Sequence, residues 1–323
     1  REIVDLALAS KASLVDVAQD NAIEQGVTDS LRERGVIVLG PSRAAGQVEW
    51  DKGFARELAH EIGIAQPSFQ ICLNEQEGTD FIDRQTEDSA WFVKAVGLAE
   101  GKGALPAENN ADAIKQIQEV QRFGSAYVIE PWIKSDDGSP GEEFSTFLLS
   151  AGEGFKIIGT AQDHKRAYNG DRGPNTGGMG VSSIPDLLAQ TGVDQMVEQM
   201  AHGLVQGLAD RGRPYNGIMY IGGMIITEKG RKVPKLIEIN SRWGDPEAEA
   251  IIPGLIGDFY EASLAAARGD ISGVSLTRDN LSRVAVAGAS RGYPDDYSAA
   301  KGKEIFGLND ASRVQGVRLY GAG

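Results

Sequence analysis

The hydrophobic and polar positions change period several times along the chain, and each change predicts an element. Helical spacing over Arg1 to Ala12 is followed by a short strand and loop around ASLVDVAQD and a second helix over AIEQGVTDSLRERG. A continuous apolar strand, Val36 to Gly40, comes next. That order of strand, helix and strand predicts an α/β unit with parallel pairing. Gly40-Pro41-Ser42 then opens a helix expected to run to about Ile62. The segments PSFQICL, WFVKAV, GALPA and AYVIEPWI predict antiparallel or mixed strands, with one helix over Ala111 to Phe123. Strands return at FSTFLLSA and FKIIGTAQ. Five glycines among the eleven residues from Gly170 to Gly180 predict a loop. A long helix follows over Asp194 to Arg211, then two apolar strands, GIMYIGGMIIT and VPKLIEIN, joined by a turn at Glu228-Lys229-Gly230. From SRVAVAGAS onward a separate small α/β or β unit is expected. No internal repeat is visible.

Composition narrows the choice of class. There are 41 glycines in 323 residues, nearly twice the usual share of roughly 7%. A chain with 41% hydrophobic and 24% charged residues can nonetheless bury a core, so a low-complexity linker is excluded. A single cysteine, Cys72, excludes a disulfide framework and cysteine-based zinc or iron–sulfur sites. The formal net charge of −14 disfavours a nucleic-acid backbone as partner, and no stretch reaches the ~18 apolar residues of a membrane span. A cytoplasmic, monomeric enzyme acting on small molecules is expected, with no nucleic-acid or membrane partner. Because the chain begins at Arg1 and ends on Gly321-Ala322-Gly323 just after an apolar strand, both ends are expected to be cut.

Four segments carry candidate chemistry. In VKAVGLAEGKGA, Lys94 ends a strand and Gly101, Lys102 and Gly103 form a Gly-spaced turn able to wrap phosphate oxygens, although neither the Walker A nor the dinucleotide spacing is present. Alone it is a weak signal, better read as an ordinary hairpin turn with surface lysines. In YVIEPWI, an apolar strand runs into Glu130 and an extended Pro-Trp-Ile that can offer backbone groups to a purine edge, or simply end a buried strand. In KLIEINSRWGDPEAE, Glu238, Asn240 and Arg242 share one strand face, and a carboxylate beside an amide oxygen suits Mg²⁺. The competing reading is a solvated edge-strand face. In AQDHKRAYNGDRGPNTGGMG, Asp163 to Arg166 precede the Gly-rich segment and make a polar nest for an anionic small molecule. With only three histidines and no zinc spacing, His164 is not expected to bind metal.

Together, QDHKR with GPNTGGMG, IEINSRWGDPE, KAVGLAEGKG and GPSRAAGQVEWDKGFAR resemble the ATP-grasp enzymes, specifically the phosphoribosylamine–glycine ligase (glycinamide ribonucleotide synthetase) family. The order and spacing match over nearly the whole chain, including VAVAGASRGYP and KGKEIFGL. The resemblance implies an α/β (α+β multidomain) ATP-grasp fold. Its expected parts are a partial N-terminal parallel-sheet unit (1–45), a central grasp lobe (46–67 and 133–268), a small ATP-clamping lobe (68–132) and a partial C-terminal domain (275–323). It implies ATP with Mg²⁺ or Mn²⁺, and glycine and 5-phosphoribosylamine as substrates. Lys52 and Lys94 would touch ATP phosphates beneath the turn containing Gly101, Lys102 and Gly103. Glu130 and Ile133 would hydrogen-bond adenine through their backbones, and Glu143 would take the ribose hydroxyls. Glu238 and Asn240 would hold the metal. Asp163, Lys165, Asn175, Thr176, Gly177 and Gly178 would line the substrate site, with Arg242 and Asp245 at the catalytic centre. The chain departs from the family at Val96, at Ala18-Gln19-Asp20-Asn21 and in the hinge KSDDGSP, and it lacks the family's opening strand. These departures leave two alternatives: another ATP-grasp carboxylate–amine ligase with a changed acceptor, and a non-catalytic ATP-binding remnant.

Overall fold

The computed structural model describes residues 2–99, 102–170 and 172–321. The chain opens with α1 (Glu2–Ser10), β1 (Val15–Asp16), α2 (Asp20–Glu24), α3 (Val27–Arg32) and β2 (Val38–Leu39). β1 and β2 pair in parallel, as the alternation of elements requires. The single helix expected after β1 is two helices, because Gly26 adopts a left-handed φ of 75° and interrupts the ladder. The next expected helix is likewise divided into α4 (Arg43–Trp50) and α5 (Lys52–Glu61). Ser42 caps α4 through the Ala45 N–H, and Asp51 caps α5 through the Phe54 N–H, so a second cap inside the apolar pattern starts a new helix.

A four-stranded antiparallel sheet follows. It contains β3 (Gln70–Cys72), β4 (Trp91–Ala95), β5 (Ala104–Ala107) and β6 (Tyr127–Pro131), in the order β3-β6-β4-β5. α6 (Glu75–Asp83) and α7 (Asn110–Val120) pack beside it and against each other, around Cys72, Ile82, Val93, Ile117 and Ile129. α6 was not expected from the pattern; its EQEGTDFID carries few apolar residues, but Asn74 caps it through the Glu77 N–H.

The larger layer is a six-stranded antiparallel sheet, formed by β7 (Glu142–Gly152), β8 (Gly154–Tyr168), β9 (Arg172–Ser183), β10 (Tyr215–Glu228), β11 (Arg231–Asn240) and β14 (Arg283–Val286). Its order is β11-β10-β7-β8-β9-β14. Two expectations are corrected here. The Gly-rich segment before Gly180 is not a loop: from Arg172 it is strand β9, pairing with β8 across register shifts at His164/Arg166 and Arg166/Tyr168. A long partner strand supplied ladder partners that composition alone does not reveal. The segment at SRVAVAGAS does not start a separate unit, because its strand β14 completes the large sheet's edge.

Helices α8 (Leu187–Thr191) and α9 (Asp194–Ala209) lie between β9 and β10, α9 covering one sheet face together with α5. On the other face lie α10 (Glu247–Ile251) and α11 (Phe259–Ala267), near the two-stranded pair β12 (Leu255–Ile256) and β13 (Thr277–Arg278). α12 (Leu308–Ala311) is the last regular element. No helix among the described residues is long and apolar enough to cross a membrane.

Two contacts lock the layers together. At the N-terminal unit, the Gly40 N–H donates to the Asn216 carbonyl (3.1 Å), and a Cβ on Gly217 would lie 2.9 Å from the Gly40 Cα. With φ of 152°, Gly217 is a position where only glycine fits. Between the two sheets, Arg56 on α5 is 4% exposed. Its guanidinium donates to Glu130 Oε1 on β6 (2.5 Å), to the Leu236 and Ile237 carbonyls on β11 (3.0 and 2.7 Å) and to Gln66 Oε1 (3.2 Å). Lys94 on β4 completes the carboxylate at Oε2 (2.7 Å).

Burial alone would raise the Glu130 carboxyl, but the Lys94 ammonium and Arg56 guanidinium outweigh it and hold it below the ordinary range. Its contribution is therefore present above the unfolded carboxyl value and lost as pH falls through the folded one. Glu130→Gln is expected to cost about 3–5 kcal/mol at neutral pH, by stranding a buried guanidinium. In urea unfolding, the gap between E130Q and the unsubstituted protein should narrow as acid protonates Glu130; an equal gap in neutral and acid solution would remove the ion pair as its source. Leu204 is fully buried on α9, and Leu204→Ala should lower stability by about 2–5 kcal/mol, read as a shift in the urea midpoint.

Candidate functional site

The site gathers where the end of β11 passes between the two sheets. β11 carries Glu238 and Asn240 on one face by strand alternation, and its pairing with β10 ends at Asn240 opposite Tyr220. β8 brings Lys165, whose Nζ lies 3.7 Å from Glu238 Oε1 and 3.6 Å from Asp163 Oδ2. Lys165 is the largest influence on Glu238: with Lys94, Lys52 and Arg242 behind it, it holds the carboxyl below its usual range against the partial loss of solvent around it. Reciprocally, Glu238 raises the Lys165 ammonium. One anionic face of β11 is thus matched by three lysines from three different elements and by Arg242 just beyond the strand.

Lys52 opens α5, and its Nζ donates to the Gly97 carbonyl (3.2 Å), where the Gly-spaced turn begins. Burial lowers its affinity for a proton, while Glu238 opposes that shift. Lys94 faces the same cleft from β4, bonded to Glu130. Gly103 is buried and its carbonyl accepts from the Ala95 N–H (2.8 Å), closing the mouth of the β4–β5 hairpin. Lys102 is exposed in that turn, and Gly101 lies outside the described residues. Ile133 is half-buried just beyond β6. Glu143 is on β7, close enough to add to the field that raises Lys165.

The β9 segment reaches the same place through its pairing with β8. Asn175 is in register with Arg166, and the Thr176 hydroxyl donates to the Lys165 carbonyl (2.8 Å) while accepting from the Gly178 N–H (3.1 Å). Gly177 is exposed. A Cβ on Gly178, whose φ is 144°, would come within 2.8 Å of the Asp245 carbonyl, so this glycine lets β9 pass against the loop after β11. Asp245 itself is exposed. Arg242 pairs through Nε with Glu49 (3.1 Å) and donates from Nη1 to the Trp243 carbonyl (2.9 Å).

Sequence reasoning missed three acids or bases here. Glu49 on α4 and Glu247 on α10 are both buried, and burial pushes each carboxyl up to about 7. Arg56 is the third. Glu49 had a visible signal: with Ala45 and Val48 it occupies the buried i, i+3, i+4 face of α4, an unusual place for a carboxylate. Asp163 is similarly withdrawn, its side chain 6% exposed and Oδ1 without a hydrogen-bond partner among the described residues.

Among the described residues no three His, Cys, Asp or Glu side chains form a metal cluster. Glu238 and Asn240 are instead an oxygen pair of the kind that binds Mg²⁺ when phosphate and water supply the other positions. The lysines on both sides supply the positive charge that a triphosphate needs.

The family model described as "Phosphoribosylglycinamide synthetase, ATP-grasp (A) domain" matches residues 50–248. Phosphoribosylamine–glycine ligase of Streptococcus pneumoniae (strain R6) is 36% identical over 313 residues, covering 92% of this chain and 71% of its own. The Streptococcus pyogenes enzyme of the same name is also 36% identical, with 91% and 68% covered. The crystal structure of phosphoribosylamine–glycine ligase from Thermotoga maritima superposes with a TM-score of 0.65 at 29% identity, over 80% of this chain and 63% of that one. A biotin carboxylase domain from Hydrogenobacter thermophilus, solved with MgADP, shares the fold with a TM-score of 0.65 at 15% identity, over 88% and 60%. The chain thus spans about two thirds of the length of these relatives, carries the mixed α/β ATP-grasp fold, and belongs to the phosphoribosylamine–glycine ligase family of ATP-dependent ligases.

Proposed function

We propose that the chain joins glycine to 5-phosphoribosylamine at the expense of ATP, through a glycyl phosphate, and releases glycinamide ribonucleotide, ADP and phosphate. The observation that carries this is the convergence of Glu238 and Asn240 with Lys52, Lys94 and Lys165 at the junction of the two sheets. In this reading residues 46–67 and 133–268 form the grasp lobe, 68–132 the ATP clamp, and 1–45 and 275–323 the flanking parts of a monomer.

Glu238 and Asn240 would hold Mg²⁺ or Mn²⁺, which when bound would neutralise phosphate charge. Lys52 and Lys94 hold the phosphates beneath the turn of Lys102 and Gly103. The backbones of Glu130 and Ile133 take adenine, and Glu143 takes the ribose. Asp163, Lys165 and the segment Asn175, Thr176, Gly177 and Gly178 line the substrate pocket. Arg242 and Asp245 stand where the glycine carboxylate is activated. The residues supply position and charge balance rather than a covalent nucleophile, so the amine attacks an acyl phosphate kept from water by the lobes on either side.

A changed acceptor is the second reading. It is favoured by the position of Asp20, part of the Ala18–Asn21 segment that departs from the family, close enough to Glu49 to act on its charge. ADP release from glycine plus phosphoribosylamine, compared with a panel of other acid and amine pairs, separates the two.

Glu238→Ala should lower substrate-dependent ADP release by about a hundredfold or more. The side chain is 42% exposed, so folding should survive. Retained turnover with Mg-ATP would remove Glu238 from the metal.

A further inference from the structure

Glu49 sits in the segment GPSRAAGQVEWDKGFAR without an assigned role, yet its carboxylate has two partners directly beyond the Glu238–Asn240 strand end. Oε2 accepts the Ser241 N–H at 2.8 Å, and Oε1 pairs with Arg242 Nε at 3.1 Å. Ser241 is 1% exposed and follows the last residue paired with β10, so its N–H has lost the ladder. The Glu49 carboxylate replaces that lost partner. The Ser241 hydroxyl adds a long bond to the Gly46 carbonyl on the same helix (3.4 Å).

The Arg242 guanidinium is held at two of its nitrogens, Nε by Glu49 and Nη1 by the Trp243 carbonyl. Among the described residues its Nη2 has no hydrogen-bond partner, and the side chain is 31% exposed. A fork held from behind and open in front suits a carboxylate or phosphoryl group. Lys52 lies three residues beyond Glu49, opening the next helix, so one short stretch sets both the phosphate-side lysine and the backing of Arg242.

We infer that Glu49 is a positioning residue: it aims the Arg242 guanidinium at the anionic group of the acid substrate and ties the metal-binding strand end to α4. This rests on the ligase reading above.

The test is a double-mutant cycle of Glu49→Gln and Arg242→Ala in the whole chain, with KM measured separately for ATP, glycine and phosphoribosylamine. E49Q keeps an acceptor for the Ser241 N–H and removes the charge behind Arg242. It should raise KM for glycine or phosphoribosylamine about tenfold or more, with KM for ATP held within about twofold. In the R242A background the same change should add less than about twofold, because its effect passes through the arginine. Losses that multiply fully, an equal rise in KM for ATP, or unchanged KM values would each overturn the assignment. Should E49Q fail to fold, Arg242→Lys replaces it: one ammonium cannot serve Glu49 and an anion as a fork does, and the same KM split is expected, an unchanged split being the overturning result. Absence of glycine-dependent ADP release from the unsubstituted chain would sink the ligase reading instead. Glu49 would then be judged by the same cycle on inorganic phosphate binding, where non-additive losses support positioning and additive ones overturn it.

Discussion

A single buried guanidinium, that of Arg56, holds the two sheets in a fixed relation. It spends its donors on a carboxylate from the small sheet and on two carbonyls of β11 in the large one, so neither sheet can shift without leaving charge unpaired. Everything in the cleft is measured from these contacts. The carbonyls belong to Leu236 and Ile237, immediately before Glu238, and the carboxylate belongs to Glu130, which also holds Lys94. The Glu238 face of β11 and Lys94 are therefore placed by the same residue.

The cleft itself is a problem in charge balance. Burial raises the carboxyls of Asp163, Glu247 and Glu49, and the charge of Glu238 adds to the rise at each. Lys165 decides the outcome for Glu238, which stays ionised because the ammonium sits between it and Asp163. Burial pushes Glu49 and Glu247 up to about 7, opposed by Arg242 at the first and Lys165 at the second. The cleft therefore sets an ionised Glu238, held by Lys165, beside the raised carboxyls of Glu49 and Glu247.

Much of the fold was legible because its pattern is local. β4, β6, β10 and β11 are apolar runs bounded by turns, and Lys229 and Gly230, both at positive φ, make the hairpin that the spacing implied. Glu238 and Asn240 share a face by strand period alone. β9 was not legible: five glycines near one another read as a loop until a fifteen-residue partner strand supplies its ladder. The helix breaks at Gly26 and Asp51 were concealed for a related reason, since the apolar period continues across both.

The sequence by itself determined which chemistry is present: the oxygen pair on β11, the lysines, the Gly-rich segments and the family they resemble. Those follow from residue type and short spacing, which survive without knowledge of distant contacts. Only the tertiary structure decided which groups meet. Arg56 finds partners 74 and 180 residues away, and Glu49 finds Ser241 192 residues away. Such pairings arise because a buried charge or a strand-end N–H must be satisfied by whatever the folded chain brings within hydrogen-bond reach. That requirement acts in space and leaves no period along the chain.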